Sequence, residues 1–259
     1  MSRHVAALED RLGVSLFART ATGLEITPTG IDLLQHAEAM AGAADRLALA
    51  ADGRTNTISG TVRITASEMV ATYLLPPILS DMHGEEPDIE IEVVASNRTE
   101  NLIEREADIA IRMFRPTQAD VYTRRMTDLP VGLYGATSYV ARHGEPATLE
   151  DLSNHVVVGY DRDDQIIRAF HRFGFEVDRH FFAFRSDNQV VAWRMVVAGF
   201  GLGFNQCAIG DAEPGLIRLW RDIDLPPMEV WLTAHAELKT SSRVRRVFDF
   251  LAERFGRPP

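Results

Sequence analysis

From Gly60 onward the chain alternates short period-two apolar runs with amphipathic helical segments, and this alternation commits it to an α/β fold. Thr61 to Ala66 alternates as a strand, Ser67 can cap a helix that runs through Met82, and Asp88 to Ala95 alternates again around Ile89, Ile91 and Val93. A helix over Thr99 to Glu106 and a strand over Asp108 to Arg112 complete a βαβαβ series, which implies a parallel sheet with right-handed crossovers. Leu129 to Gly135 reads as a strand and Thr137 to Arg142 as a short helix. The order then repeats, with strands over Val156 to Tyr160, His180 to Arg185 and Leu202 to Phe204 and helices over Gln165 to Phe173 and Asn188 to Ala198. Two similar lobes fit this repetition better than one sheet. A strand over Met228 to Ala234 and a helix over Ser242 to Phe255, with Val244, Val247, Phe248 and Leu251 inward, are placed to return to the first lobe. Lobe I therefore covers about 60–129 and 233–259, and lobe II about 130–232.

The residues ahead of Gly60 follow other rules. Val5, Leu8 and Leu12 at helical spacing, with Gly13 behind them, mark one helix from Ser2 to Leu12. Val14 to Arg19 and Leu24 to Ile26 read as strands around a turn at Thr20 to Gly23. Thr27 offers a hydroxyl cap and Pro28 suits the first helical position, so a second helix is expected over 28–53. It would be roughly 38 Å long. Its Ala-rich stripe through Ile31, Leu34, Ala41, Ala44 and Leu47 suits the seam of a homodimer or homotetramer. Asp52 to Thr57 is a polar hinge.

Composition excludes several classes. The 259 residues, 46% hydrophobic and 25% charged, support real cores, and a net charge of -10 is wrong for a surface that grips nucleic acid all over. Cys207 is the single cysteine, and no Cys/His group has metal-ligand spacing, so no metal, cofactor or disulfide is expected. The start lacks the apolar core of an export signal and no apolar run reaches membrane length, which points to the cytoplasm. Gly199 to Gly203 follows a helix and precedes a strand, the reverse of a nucleotide-binding loop. With no G-x-S-x-G, no P-loop and no nucleophile beside a base, the expectation is a binding protein and not an enzyme.

The N-terminal text is the most specific. Ser2-Arg3-His4-Val5, Leu8-Glu9, Leu12-Gly13, Leu16-Phe17, Arg19, Leu24, Ile26-Thr27 and Gly30 stand at the spacing of a recognition helix, a wing and the start of a linker helix. In this it closely resembles the LysR-type transcriptional regulators. The segments GTVRITAS, LLPPIL, READIAIR and AGFGLGF resemble that family's effector domain, a two-lobed fold of the periplasmic-binding type. The resemblance implies a partial winged helix-turn-helix over 1–27, a linker and dimerisation helix over 28–53 and an effector-binding domain over 60–259.

The resemblance also implies a DNA site at Ser2, Arg3, His4, Arg19 and Thr27, the first three facing the major groove and the last two holding phosphates near the wing. Family members normally carry about thirty residues ahead of the recognition helix, and here Met1 stands directly before Ser2. Acidic residues also outnumber basic ones through Asp52. An alternative to the regulator is therefore a truncated effector-binding and dimerisation module without DNA binding of its own. For the effector, the two-lobed fold implies strand ends and helix N-termini: Ser67, Glu68 and Met69, Arg112 and Phe114, Ser186 and Asn188, and Phe204 and Asn205. Arg112 points to an anionic or polar small molecule, although an arginine also suits a surface ion pair, and Ser67, Ser186 and Asn188 suit plain helix caps.

Overall fold

A computed structural model describes residues 3–20, 23–34, 36–37, 40, 58–97, 107–116, 121–235 and 241–255. The chain divides into an N-terminal unit and a larger one that begins at Thr57. Ser2, most of the expected linker helix, the hinge and the expected helix over Thr99 to Glu106 lie outside the described residues.

In the N-terminal unit, α1 spans Arg3–Leu12. Gly13 closes it at φ +68°, donating its N–H to the Glu9 carbonyl at 2.8 Å, a left-handed stop that glycine takes without steric cost. The Glu9 carboxylate then accepts the N–H groups of Leu16 (2.7 Å) and Phe17 (3.1 Å), which aims the chain into a hairpin. Its strands, β1 (Phe17–Thr20) and β2 (Gly23–Ile26), pair antiparallel with Arg19 opposite Leu24. Helix α2 follows over 28–34. Thr27 caps it as expected: its hydroxyl accepts the Gly30 N–H at 3.0 Å and donates to the Ser15 carbonyl at 2.7 Å. Gly30 is required there because a Cβ would land on the Leu16 carbonyl.

The larger unit holds two sheets. The first has the order β4-β3-β5-β12-β6, with β3 (Gly60–Ala66) between parallel neighbours β4 (Ile89–Ala95) and β5 (Ile109–Arg112). Strand β12 (Met228–His235) pairs antiparallel with β5 and with β6 (Val121–Leu129). The three strands of the βαβαβ series are parallel as expected, and β12 and β6 extend them into a mixed sheet. The chain re-enters it at Met228, ahead of the return expected at 233. Strand β6 was not expected at all.

One face of this sheet, carrying Val62, Ile64, Ile109, Ile111, Val230 and Leu232, packs into a core with the helices α3 (Leu75–Glu85) and α8 (Ser242–Phe255). The four inward residues expected of α8 are all buried. Each leucine buried in this way contributes roughly 2 kcal/mol. The helix expected to end at Met82 runs on to Glu85 and opens with a wide π turn over Val70–Leu74. Pro76 and Pro77 follow that turn and lack the N–H groups that regular helical bonding there would need.

The second lobe repeats the pattern. Strand β7 (Val131–Ala136) lies antiparallel between β10 (Gly203–Gln206) and β11 (Leu216–Leu219). A parallel bridge from Val157 to Leu202 links β10 to the short parallel pair β8 (Val158–Gly159) and β9 (Phe184–Arg185). The strand expected over His180 to Arg185 is mostly a single tight turn followed by β9, because Asp178 caps the turn by accepting the His180 N–H. Helices α4 (Thr137–His143), α5 (Gln165–Arg172) and α6 (Gln189–Val197) stand where helices were expected, and a single turn, α7 (Cys207–Gly210), was not foreseen.

His155 gives this lobe a pH dependence. Its ring lies 3.4 Å from the Tyr139 hydroxyl, and burial, then the nearby His143, hold its pKa below the usual 6.5 against the opposing pull of Asp151. The unfolded chain therefore takes up this proton first. Stability should fall as pH drops through 6.5 toward the lower folded value and change no further below it, and His155→Gln should flatten that slope in thermal melts taken across the window.

Candidate functional site

The end of β3 and the start of α6 build one side of a cleft. Glu68, just past β3, donates its N–H to the Asn97 side chain at 3.1 Å, while its carboxylate reaches into the second lobe and accepts the Gln189 N–H at 3.0 Å. Gln189 is the first residue of α6. From it, Gln189, Ala192, Trp193 and Val196 repeat at helical spacing and form a single face along the cleft. Phe204 and Asn205 of β10, Val158 of β8, Tyr160 and Ile166 line it too, and Met69 joins them from the first lobe. Its enclosed part is about 20 Å³, room for a water-sized group in the arrangement the structure shows.

Few polar groups line it. Trp193 is 3% exposed and its indole N–H has no acceptor among the described residues. Burial, and then the charge of Asp163, push the Tyr160 hydroxyl up to about 12, so it stays a neutral donor. Asn205 spends its amide oxygen on the Gln206 N–H at 2.9 Å. Tyr134 meets the Trp193 ring edge-on at 5.7 Å and fixes its position from behind.

Of the nine effector candidates, the fold brings Met69, Phe204 and Asn205 to the cleft wall, with Glu68 at its Gln189 end. The others go elsewhere. Ser67 holds its hydroxyl 3.5 Å from the Val70 N–H, a long cap at most. Ser186 accepts the Asn188 N–H, and Asn188 caps α6 by accepting the Val191 N–H at 2.9 Å, so both serve the local chain. Arg112 is 4% exposed, bonded to the Ile111 carbonyl and the Thr65 hydroxyl at 3.2 Å each, and is not among the cleft residues. Phe114 lies exposed beyond β5. Gln189, Tyr160 and Trp193 were missed. Their only sequence signal, an apolar helical face and an aromatic after a strand, reads equally well as core.

In the N-terminal unit, Arg3 opens α1, His4 sits exposed on that helix, and Arg19 is exposed in β1. Thr27 is committed to capping α2. Leu8 and Leu12, 45% and 51% exposed, leave the apolar face of α1 open. Among the described residues no helix is long and apolar enough to cross a membrane, and no group of three metal-ligating side chains is found.

Comparison with known proteins supplies the family. Residues 55–256 match the LysR substrate binding domain, and residues 1–31 match the bacterial regulatory helix-turn-helix protein of the lysR family. The chain is 26% identical over 270 residues to the HTH-type transcriptional regulator CrgA of Neisseria meningitidis serogroup C, covering 99% of this chain and 87% of that protein. It is 28% identical over 160 residues to the HTH-type transcriptional activator AaeR of Escherichia coli K12, covering 62% and 52%. The solved structure of CrgA superposes at a TM-score of 0.69 with 23% identity, over 98% of this chain and 88% of that one. The full-length virulence activator AphB of Vibrio cholerae gives 0.68 with 20% identity, over 97% and 88%. The chain thus belongs to the LysR family of bacterial transcriptional regulators, with a helix-turn-helix segment ahead of a two-lobed effector-binding domain.

Proposed function

We propose that this chain regulates transcription in the cytoplasm by binding promoter DNA as a homo-oligomer, and that a small molecule held between its two lobes biases that binding. The observation that carries the reading is the cleft itself. It takes residues from both lobes and is bridged by Glu68, so an occupant has differential contacts to offer between an open and a closed arrangement. Arg19 and His4, exposed on the wing strand and on α1, are the proposed DNA contacts, with Arg3 at the start of that helix.

A mobility-shift assay on the chain's own promoter region tests this. Binding should be specific against competitor DNA and weaken steeply with added salt, and Arg19→Ala should weaken it on every sequence. A second reading, an effector-binding and dimerisation module without DNA affinity of its own, is favoured by the open apolar face at Leu8 and Leu12. A specific, salt-sensitive shift by this chain alone would sink that second reading, and its absence would sink the first.

A further inference from the structure

We propose that Glu68 and Met69 form a latch by which the chain itself holds its two lobes closed on each other. This rests on the lobes being the moving parts of the proposed regulator. The two residues follow the end of β3, and both side chains cross to the second lobe. The Glu68 carboxylate accepts the Gln189 N–H in the first turn of α6, at 3.0 Å. A negative charge is favoured there, because the first N–H groups of a helix have no partner within it and the helix dipole is positive at that end. Asn188, which caps α6 from its own lobe, accepts the Val191 N–H and so serves a different donor.

Met69 supplies the apolar half of the latch. It is 4% exposed and shares one buried cluster with Trp193, Val196 and Ile209 of the second lobe, where a flexible thioether chain packs well. Its neighbour Val70 is fully buried in the core of the first lobe, so consecutive residues are committed to opposite lobes. The Glu68 N–H donates to the Asn97 side chain at 3.1 Å, which ties the same segment to the loop after β4. With both side chains in place, the space enclosed beside Trp193 is about 20 Å³, room for a water-sized group. Charge on a helix N-terminus and an apolar body against the inner wall are contacts that a ligand between the lobes would make. Here the chain makes both, and a larger occupant enters only by displacing them.

Hydroxyl-radical footprinting of the full chain, read by fragment mass spectrometry, tests the latch, because methionine and tryptophan side chains are labelled according to their exposure. Losing a charge-assisted hydrogen bond shifts a two-state balance by about tenfold or more, so Glu68→Ala should raise the labelling of Met69 and Trp193 about fivefold. Met82, 1% exposed in the core of the first lobe, should be labelled as in the parent. Glu68→Gln keeps an acceptor for the Gln189 N–H and should regain most of the protection. Unchanged labelling of Met69 and Trp193 in Glu68→Ala overturns the proposal. So does an equal rise at Met82, which reports a general loosening of the fold, or a Glu68→Gln variant no better protected than Glu68→Ala. Promoter binding by the parent chain is measured on the same preparation. A specific mobility shift with no change in labelling rejects the latch and leaves the regulator standing, whereas increased labelling without a mobility shift does the reverse.

Discussion

Gly210→Ala is expected to destabilise the effector domain by about 3 kcal/mol, through overpacking at a site that has nowhere to relax. Gly210 ends α7, and a Cβ there would land on the ring of Tyr134. That ring is 1% exposed, and its hydroxyl is tied to Asp211 at 2.8 Å. On another side Gly132 leaves only enough room, since a Cβ on Gly132 would stand 2.9 Å from the same ring. Burial, and then Cys207 and Asp211, raise the pKa of the Tyr134 hydroxyl, so ionisation offers no release either. For a domain of this size the midpoint of thermal unfolding should drop by roughly 9 °C. A double-mutant cycle provides the control. Tyr134→Leu alone removes buried ring atoms, and adding Gly210→Ala to it should cost clearly less than Gly210→Ala costs in the parent, because the new methyl enters vacated space. An unchanged melting temperature for Gly210→Ala, or strict additivity in the cycle, would show that the ring is free to move. The effect reaches the cleft as well, because Tyr134 is the partner that holds Trp193 edge-on.

The parts of the fold that were legible are those in which one physical demand dominates. Strands β3, β4 and β5 were readable because one face of each enters a single apolar core, and α8 because four inward residues share one stripe. The hairpin, the Gly13 stop and the Thr27 cap were readable from local turn and cap chemistry alone. Strand β6 was not, because Arg124, Arg125 and Asp128 interrupt its apolar pattern and its pairing with β12 shifts register between Val230 and Trp231. Strands β8 and β9 are two residues long, too short for any period to show. The site divides in the same way. Met69, Phe204 and Asn205 could be placed beside the cleft from the sequence because they sit at or just beyond strand ends. Trp193 was passed over because a binding wall and a core face have the same helical spacing. Arg112 was correctly placed at the end of β5, but no sequence rule says which way a long side chain turns once it leaves the sheet.

Arg112→Met is expected to make the protein more stable, by about 2 kcal/mol. Thr65, Ala110 and Thr233 stand in register across β3, β5 and β12, and Arg112 follows Ala110 by two positions on the same face of β5. The guanidinium turns back toward the Thr65 hydroxyl, 3.2 Å away. Both threonines are fully buried, and Arg112 is 4% exposed. Its Nε has no partner, the Thr233 hydroxyl has none either, and no carboxylate lies within 4.0 Å of the guanidinium among the described residues. Burial lowers the pKa of Arg112, yet an arginine so placed remains charged across the neutral range, so the fold carries a desolvated cation at every pH where it is usually measured. Methionine keeps the length and flexibility of the stem and removes the charge. The gain should appear as a higher melting temperature that varies little across neutral pH. A variant that instead melts lower, by the 3–5 kcal/mol typical of a broken buried ion pair, would mean that the guanidinium holds a counter-charge. In that case the anion reading of Arg112 would return, at a place on the first sheet separate from the cleft beside Trp193.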